Sequence, residues 1–300
     1  MASDQLKGHL SVAAAYTIFG LNVVLCKDIA NSAAVSPNVL FLLRALGASA
    51  LFWLLSLFLP KEKIDKGDLL RIAAASFLGL FATQMSFLVG ITMATSIDAA
   101  ILGTLGPVFT MIFAFFFVRE PITAKKAGGV AVSLAGVLFL IFNSVHGSGG
   151  AAATTPLGFV LLLVNSLTFS MYLGIFRPLI NKYSVVTFMK WAFLFSLLMS
   201  LPFSARELMA TDFAAIPPPV RWEIAYLVVF ATVIAYYLIP YGQKYLRPTL
   251  VSMYTYLSPV IATLVSIWTG LDVLSWQKML AAALIASGLV LVSRSRAARK

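Results

Sequence analysis

From Ala99 to Val118 the chain runs for twenty residues without a charge. About twenty apolar residues are what a helix needs to cross the hydrocarbon core of a bilayer. Runs of this kind recur along the sequence, at roughly 9–26, 37–59, 69–91, 96–118, 124–142, 157–176, 185–203, 221–241, 247–269 and 275–293. Lipid leaves no water for unpaired backbone groups, so such runs become helices. The expectation is an all-α, polytopic membrane protein of ten transmembrane helices. Composition agrees: 11% of residues are charged, against about 25% in soluble domains. The first run, about Leu10–Cys26, is followed by no A-x-A cleavage site and by further spans, so it reads as a retained helix.

The formal charge of +11 raises nucleic acid as a partner. The basic residues do not form a patch, however. They punctuate the apolar runs and therefore read as topology signals. With the amino terminus inside, sixteen of the 22 Lys and Arg residues fall on inner ends and loops, and only Lys27, Arg206, Arg221 and Lys278 fall outside. That bias puts both termini in the cytoplasm, with the chain multi-pass in the cell inner membrane. Cys26 is the single cysteine, which excludes an internal disulfide and a cysteine metal site. The stretch "HGSGG" follows no strand and lacks the Lys-Ser/Thr of a phosphate loop, so it reads as a linker. No cofactor, metal or catalytic residue is expected. The expected partners are a small-molecule substrate and the lipid bilayer, with no nucleic acid, in a monomer or homodimer.

Two prolines fall inside apolar runs at the same place: "LGPVF" (105–109) and "LSPVI" (257–261). Residues 77–140 slide onto 229–292 without a gap. Gly90 then meets Gly242, Pro107 meets Pro259, Glu120 meets Asp272, Thr123 meets Ser275 and Gly136 meets Gly288. A shift of 150 aligns the starts of the halves, Gly8 with Gly158 and Asn22 with Tyr172. Each half has five spans, an odd number, so the second enters from the opposite face. This is an inverted-topology repeat, a build common among secondary transporters.

The segments "SIDAAILGTLGPVFTMIFAFFFVREPITAKKAGGVAVSLAGVLFLI" and "RPTLVSMYTYLSPVIATLVSIWTGLDVLSWQKMLAAALIASGLVLV" resemble the paired repeats of the drug/metabolite transporter (DMT) superfamily, EamA type. In that pattern a proline-broken span precedes an acidic residue, a Ser/Thr helix start and a glycine-containing span. The resemblance implies two five-helix repeats, residues 1–147 and 156–294 here, around a central cavity, with export or exchange of small metabolites. Asp272 and Val273, where the first half has Glu120 and Pro121, depart mildly from it.

Within this frame, Pro107 frees the carbonyl of Gly103 and Pro259 that of Thr255, where solute or water can use them; a kink that only shapes packing is the other reading. Arg44 lies about 12 Å into the second span at the helical rise. It can hold a substrate carboxylate or phosphate, or bond helix-end carbonyls, and the resemblance favours the structural role. Lys190 is near enough to a span end to snorkel. Asn22, Gln84, Tyr172, Tyr236, Tyr254 and Tyr256 are the remaining candidate substrate-binding residues, against a reading of plain interhelical hydrogen bonding. The small-residue runs "AGGVAVSLAGV" and "AAALIASGL" point to close helix packing. No acid or histidine sits at mid-span, so neither an intramembrane enzyme nor direct proton coupling is expected; Asp98 is the acid a tilted fourth helix would draw inward. The function expected is a secondary transporter of amino acids or related zwitterionic or anionic solutes, an exporter or exchanger.

Overall fold

The computed structural model describes residues 2–94, 99, 102–145, 155–268 and 276–295, and among these there is helix and loop but no strand. In chain order the helices are α1 (Ala2–Ser32), α2 (Pro37–Leu57), α3 (Lys66–Thr92), α4 (Gly106–Val118), α5 (Ala124–Val145), α6 (Pro156–Ile175), the short α7 (Arg177–Lys182), α8 (Val185–Ala210), α9 (Pro218–Tyr245), α10 (Pro248–Met253), α11 (Leu257–Trp268) and α12 (Trp276–Ser293). Six of them, α1, α2, α3, α6, α8 and α9, are long and apolar enough to cross a membrane by length and composition. Gly106–Val118 and Met279–Ser293 are shorter apolar helices. The chain is thus an all-helical, multi-pass membrane protein.

Helix starts follow local chemistry. Ser36 precedes Pro37 and accepts the Val39 N–H, Thr155 precedes Pro156 and accepts the Gly158 N–H, and Ser184 accepts the Thr187 N–H. A hydroxyl at the N-cap satisfies a free amide, and proline at the first position has no amide to lose. Thr123 does the same for α5, accepting the Lys126 N–H. Asp98, Asp272, Ser275 and the linker 146–154 lie outside the described residues.

Regular α-helix is interrupted just before each of the two paired prolines. Pro107 sits in the first turn of α4, after a turn at Thr104 and Leu105. Pro259 is the third residue of α11, after a 3₁₀ turn at Tyr254–Tyr256. Pro107 therefore starts a helix at a position whose amide has no intrahelical partner, so no hydrogen bond is lost there, whereas Pro259 follows a 3₁₀ turn within a continuous helical run. In α3 and α9 the regular helix instead widens to a π-helical stretch, Phe77–Ala82 and Leu227–Ile234.

The helices run between two faces. On the face where α1 begins, Gly8 packs on Tyr245 and Leu246, and Asp68 binds Lys182 and Tyr183. On the face where α1 ends, Lys27 bonds the carbonyls of Ile91 and Ala94, and Glu207 accepts from Ser36 and Asn38. Between them α1 packs on α9 and α11, α3 on α6, α2 on α8, and α5 on α12. A Cβ on Gly288 would lie 2.1 Å from Ser133 Oγ and 2.4 Å from the Gly129 carbonyl, so only glycine permits the approach of α12 to α5.

Contacts also pair up reciprocally. Gly129 lies against Gly288, and Gly136 against Ala281; Gly90 lies against Leu162, and Gly242 against Val12. Among the described residues, three side-chain bonds join positions 152 apart: Gln84 to Tyr236, Tyr256 to the Thr104 carbonyl, and Ser133 to the Ile285 carbonyl.

Candidate functional site

A cavity of about 560 Å³ lies between α1, α3, α6, α9 and the turns that precede α4 and α11. Its lining on α1 runs from Tyr16 to Asn31, fifteen helical steps or roughly 22 Å along the helix. Asp28 and Asn31 are exposed, so the cavity opens on the face where α1 ends. Tyr16 and Tyr236, each 2% exposed, lie at the other end.

The walls mix rings with neutral polar groups. Phe19, Phe87 and Phe169 supply apolar surface, and Asn22, Gln84, Asn165, Ser166 and Tyr236 supply amides and hydroxyls. Gln84 Nε2 donates to the Tyr236 hydroxyl at 2.5 Å, and the Asn22 carbonyl oxygen accepts from the Cys26 thiol at 3.7 Å. Asn165 donates to the Thr83 carbonyl at 2.9 Å, which ties α6 to the π-helical end of α3. Ser166 and Ser170 donate to the Leu102 and Gly106 carbonyls, so the turn before α4 is held by hydroxyls from α6. The charges on the lining are Lys27 and Asp28. Lys27 uses two donors on the carbonyls of Ile91 and Ala94, at 3.0 and 3.1 Å. An ammonium has three.

The candidate residues divide around this cavity. Asn22, Gln84, Tyr236 and Pro259 line it. Arg44, Tyr172, Tyr254, Tyr256 and Pro107 stand behind it. Arg44 is 1% exposed; its Nε donates to Thr232 Oγ1 at 2.8 Å and its Nη1 to the Cys26 sulfur at 3.9 Å, while Nη2 has no partner. Thr232 in turn donates to the Leu227 carbonyl five residues back, so Arg44 is moored to the π-helical stretch of α9. Tyr254 bonds His9 Nδ1 at 2.7 Å and Tyr256 bonds the Thr104 carbonyl at 3.0 Å. Tyr172 stacks on Phe169, with its hydroxyl unpartnered. Lys190 lies over the Trp53 ring at 4.9 Å, outside the cavity.

The opposite face carries bonded charges. Glu120, 4% exposed, pairs with Lys126 at 2.9 Å and accepts from Thr249 Oγ1 at 3.1 Å, which links the α4–α5 connection to α10. Asp68 accepts from Lys182 at 2.5 Å and Tyr183 at 2.8 Å. Hydrogen bonds to Asp65 and Asp68 raise the Lys182 ammonium above its ordinary value. Burial works to raise Glu62, but bonds from Ser184 and Thr187 outweigh it and hold the carboxyl below the usual range.

A family model described as the EamA-like transporter family matches residues 6–142 and 156–294. The chain belongs to the EamA-like transporter family. An uncharacterized transporter, YetK of Bacillus subtilis (strain 168), is 26% identical over 274 residues, covering 89% of this chain and 80% of the relative. The uncharacterized transporter YdfC of the same organism is 26% identical over 239 residues, covering 78% and 75%. The uncharacterized inner membrane transporter YedA of Escherichia coli (strain K12) is 26% identical over 205 residues, covering 66% and 62%. A crystal structure matches at a TM-score of 0.76 with 18% identity, covering 98% of this chain and 97% of that one, a likeness of fold.

For an EamA-like transporter the cavity is the place to look for solute contacts. Two charged residues of the lining, Lys27 and Asp28, are not among the candidates that the sequence offers. A signal was present: Gly20, Val23, Lys27 and Asn31 recur at three- and four-residue spacing on α1, which puts them on one face of the helix. Nothing in the spacing alone told a cavity-facing stripe from a packed one.

Proposed function

We propose that this EamA-like transporter moves small organic metabolites, amino acids or related zwitterionic or anionic solutes, across the cytoplasmic membrane by alternating access, as an exporter or exchanger. The observation that carries the reading is the cavity itself, open at one face and ending at the buried Tyr16 and Tyr236, with Glu120, Lys126 and Thr249 and Asp68, Lys182 and Tyr183 bonded together at the opposite face. A site reachable from one side at a time is what alternating access requires. One cation and one carboxylate among amides, hydroxyls and rings suit a zwitterion with an apolar part. Asn22, Gln84 and Tyr236 touch the solute in this reading, and Arg44 positions the π-helical wall behind them.

The proposed architecture is ten spans in two inverted repeats, residues 1–147 and 156–294, with both termini in the cytoplasm. The reciprocal contacts support it. In a pair related by a two-fold axis, residue i meets j′ where j meets i′. Gly129 with Gly288, and Gly136 with Ala281, follow that rule. The basic residues at the closed end support the orientation.

The test is counterflow in proteoliposomes preloaded with a panel of unlabelled amino acids, nucleosides or sugars and given the radiolabelled solute outside. Transient accumulation of chemically unchanged label, saturable and absent from protein-free vesicles, is the expected result for at least one amino acid. Chemical conversion of the label, or no accumulation with any amino acid, would contradict the reading.

A further inference from the structure

The repeat registers, 150 for the first helix of each half and 152 for the later ones, pair residues around the cavity. Four of those pairs share an asymmetry: Ser166 with Tyr16, Asn22 with Tyr172, Gln84 with Tyr236, and Thr104 with Tyr256. In every one a small polar residue is matched by tyrosine. All four small residues line the cavity. Gln84 and Asn22 sit nearer the mouth, eight and ten residues from the mouth ends of α3 and α1, and Ser166 sits at the middle of α6. The four tyrosines sit in the half nearer the closed face; Tyr236 is nine residues from that end of α9.

The tyrosines fill their half. None is more than 2% exposed. The Tyr172 ring packs so closely on α3 that a Cβ on Gly79 would lie 2.4 Å from it. Phe19 meets Tyr16 and Tyr236 edge-on, at 5.8 and 5.6 Å between ring centroids. Two tyrosines bond their own repeat counterparts: Tyr236 accepts from Gln84, and Tyr256 donates to the Thr104 carbonyl.

We infer that these four tyrosines are the plug that closes the cytoplasmic half, and that they make the outward-open form the resting state of the empty protein. The inference rests on the inverted-repeat and orientation readings above. Interiors are stable when side chains fill them, and voids cost free energy in proportion to their size. Closing the cytoplasmic half packs four rings into it. Closing the opposite half would bring together Ser166, Asn22, Gln84 and Thr104 at those four positions, beside Phe87 and Phe169, with less side-chain volume than four phenol rings supply. A solute in the cavity makes up that volume, so the outer half closes only around cargo. When the inner half opens, the same cargo faces phenol rings in place of amides and hydroxyls.

The test uses a cysteine at Val23, a cavity-lining position, in a Cys26→Ser background. A membrane-impermeant maleimide is applied to right-side-out and to inside-out membrane vesicles. The parent reporter should label from the periplasmic side only. Tyr172→Asn, Tyr236→Gln and Tyr256→Thr, each made singly, install the repeat counterpart. Labelling from the cytoplasmic side should rise about tenfold as the population shifts, and periplasmic labelling should fall. The matching Phe variants keep the bulk and should label as the parent does. Elution as a folded, monodisperse species qualifies each variant, so one that misfolds leaves the others to decide. Folded counterpart variants that still label only from the periplasm would overturn the plug while leaving the transport reading intact. A parent that labels from the cytoplasmic side alone would overturn the outward-open resting state, while the counterflow test of transport stands apart from it.

Discussion

Arg44 is a buried cation with a thin set of partners. Among the described residues no carboxylate lies within ion-pair distance of it, and Nη2 bonds nothing. An uncompensated buried charge costs stability, and an apolar side chain of similar length removes that cost. Arg44→Met is therefore expected to keep or raise the thermal midpoint in detergent, while counterflow falls at least tenfold because Thr232 and the π-helical wall lose their mooring. A midpoint several degrees below the parent would instead make Arg44 a structural clamp. The sequence showed that this arginine was deep. It did not show that Thr232 and Cys26, rather than the solute-facing side, would take its donors, because those contacts span 188 and 18 residues and follow only from how α2 crosses α9 and α1.

At the scale of elements, the tightest joint is α5 against α12. Gly288→Val places carbon where Ser133 Oγ and the Gly129 carbonyl already stand. Overpacking of this kind typically costs about 1–3 kcal/mol, and the loss should appear as a lower thermal midpoint and lower yield. Gly128→Ala is the control, since a Cβ there meets nothing within 4 Å. Elements of this sort were legible in advance: small residues in both runs announced a close approach, and Ser36-Pro37 and Thr155-Pro156 announced helix starts. The prolines marked where regular helix is interrupted, but their spacing did not show how: a turn at Thr104 and Leu105 lets Pro107 open a new helix at no hydrogen-bond cost. The π-helical stretches carry no signal in composition, since Phe77–Ala82 and Leu227–Ile234 are ordinary apolar sequence.

At the scale of the whole molecule, apolar runs and their punctuation were enough to announce an all-helical membrane protein of this family. They were not enough to locate the cavity, which forms where four helices separated widely in sequence leave space. The proposed topology makes a simple demand. Cysteines at Lys63 and Ala214, placed singly in a Cys26→Ser background, should label from the cytoplasmic and periplasmic sides respectively; labelling of both from one side would refute the inverted arrangement. The central claim is that the cavity between α1, α3, α6 and α9 is the path of the solute. The most direct measurement is counterflow by the Val23→Cys protein in proteoliposomes before and after quantitative reaction with a bulky impermeant maleimide. The account predicts transport before modification and its loss afterwards, with the thermal midpoint unchanged. Transport that persists at the unmodified rate after every cavity thiol has reacted would contradict it.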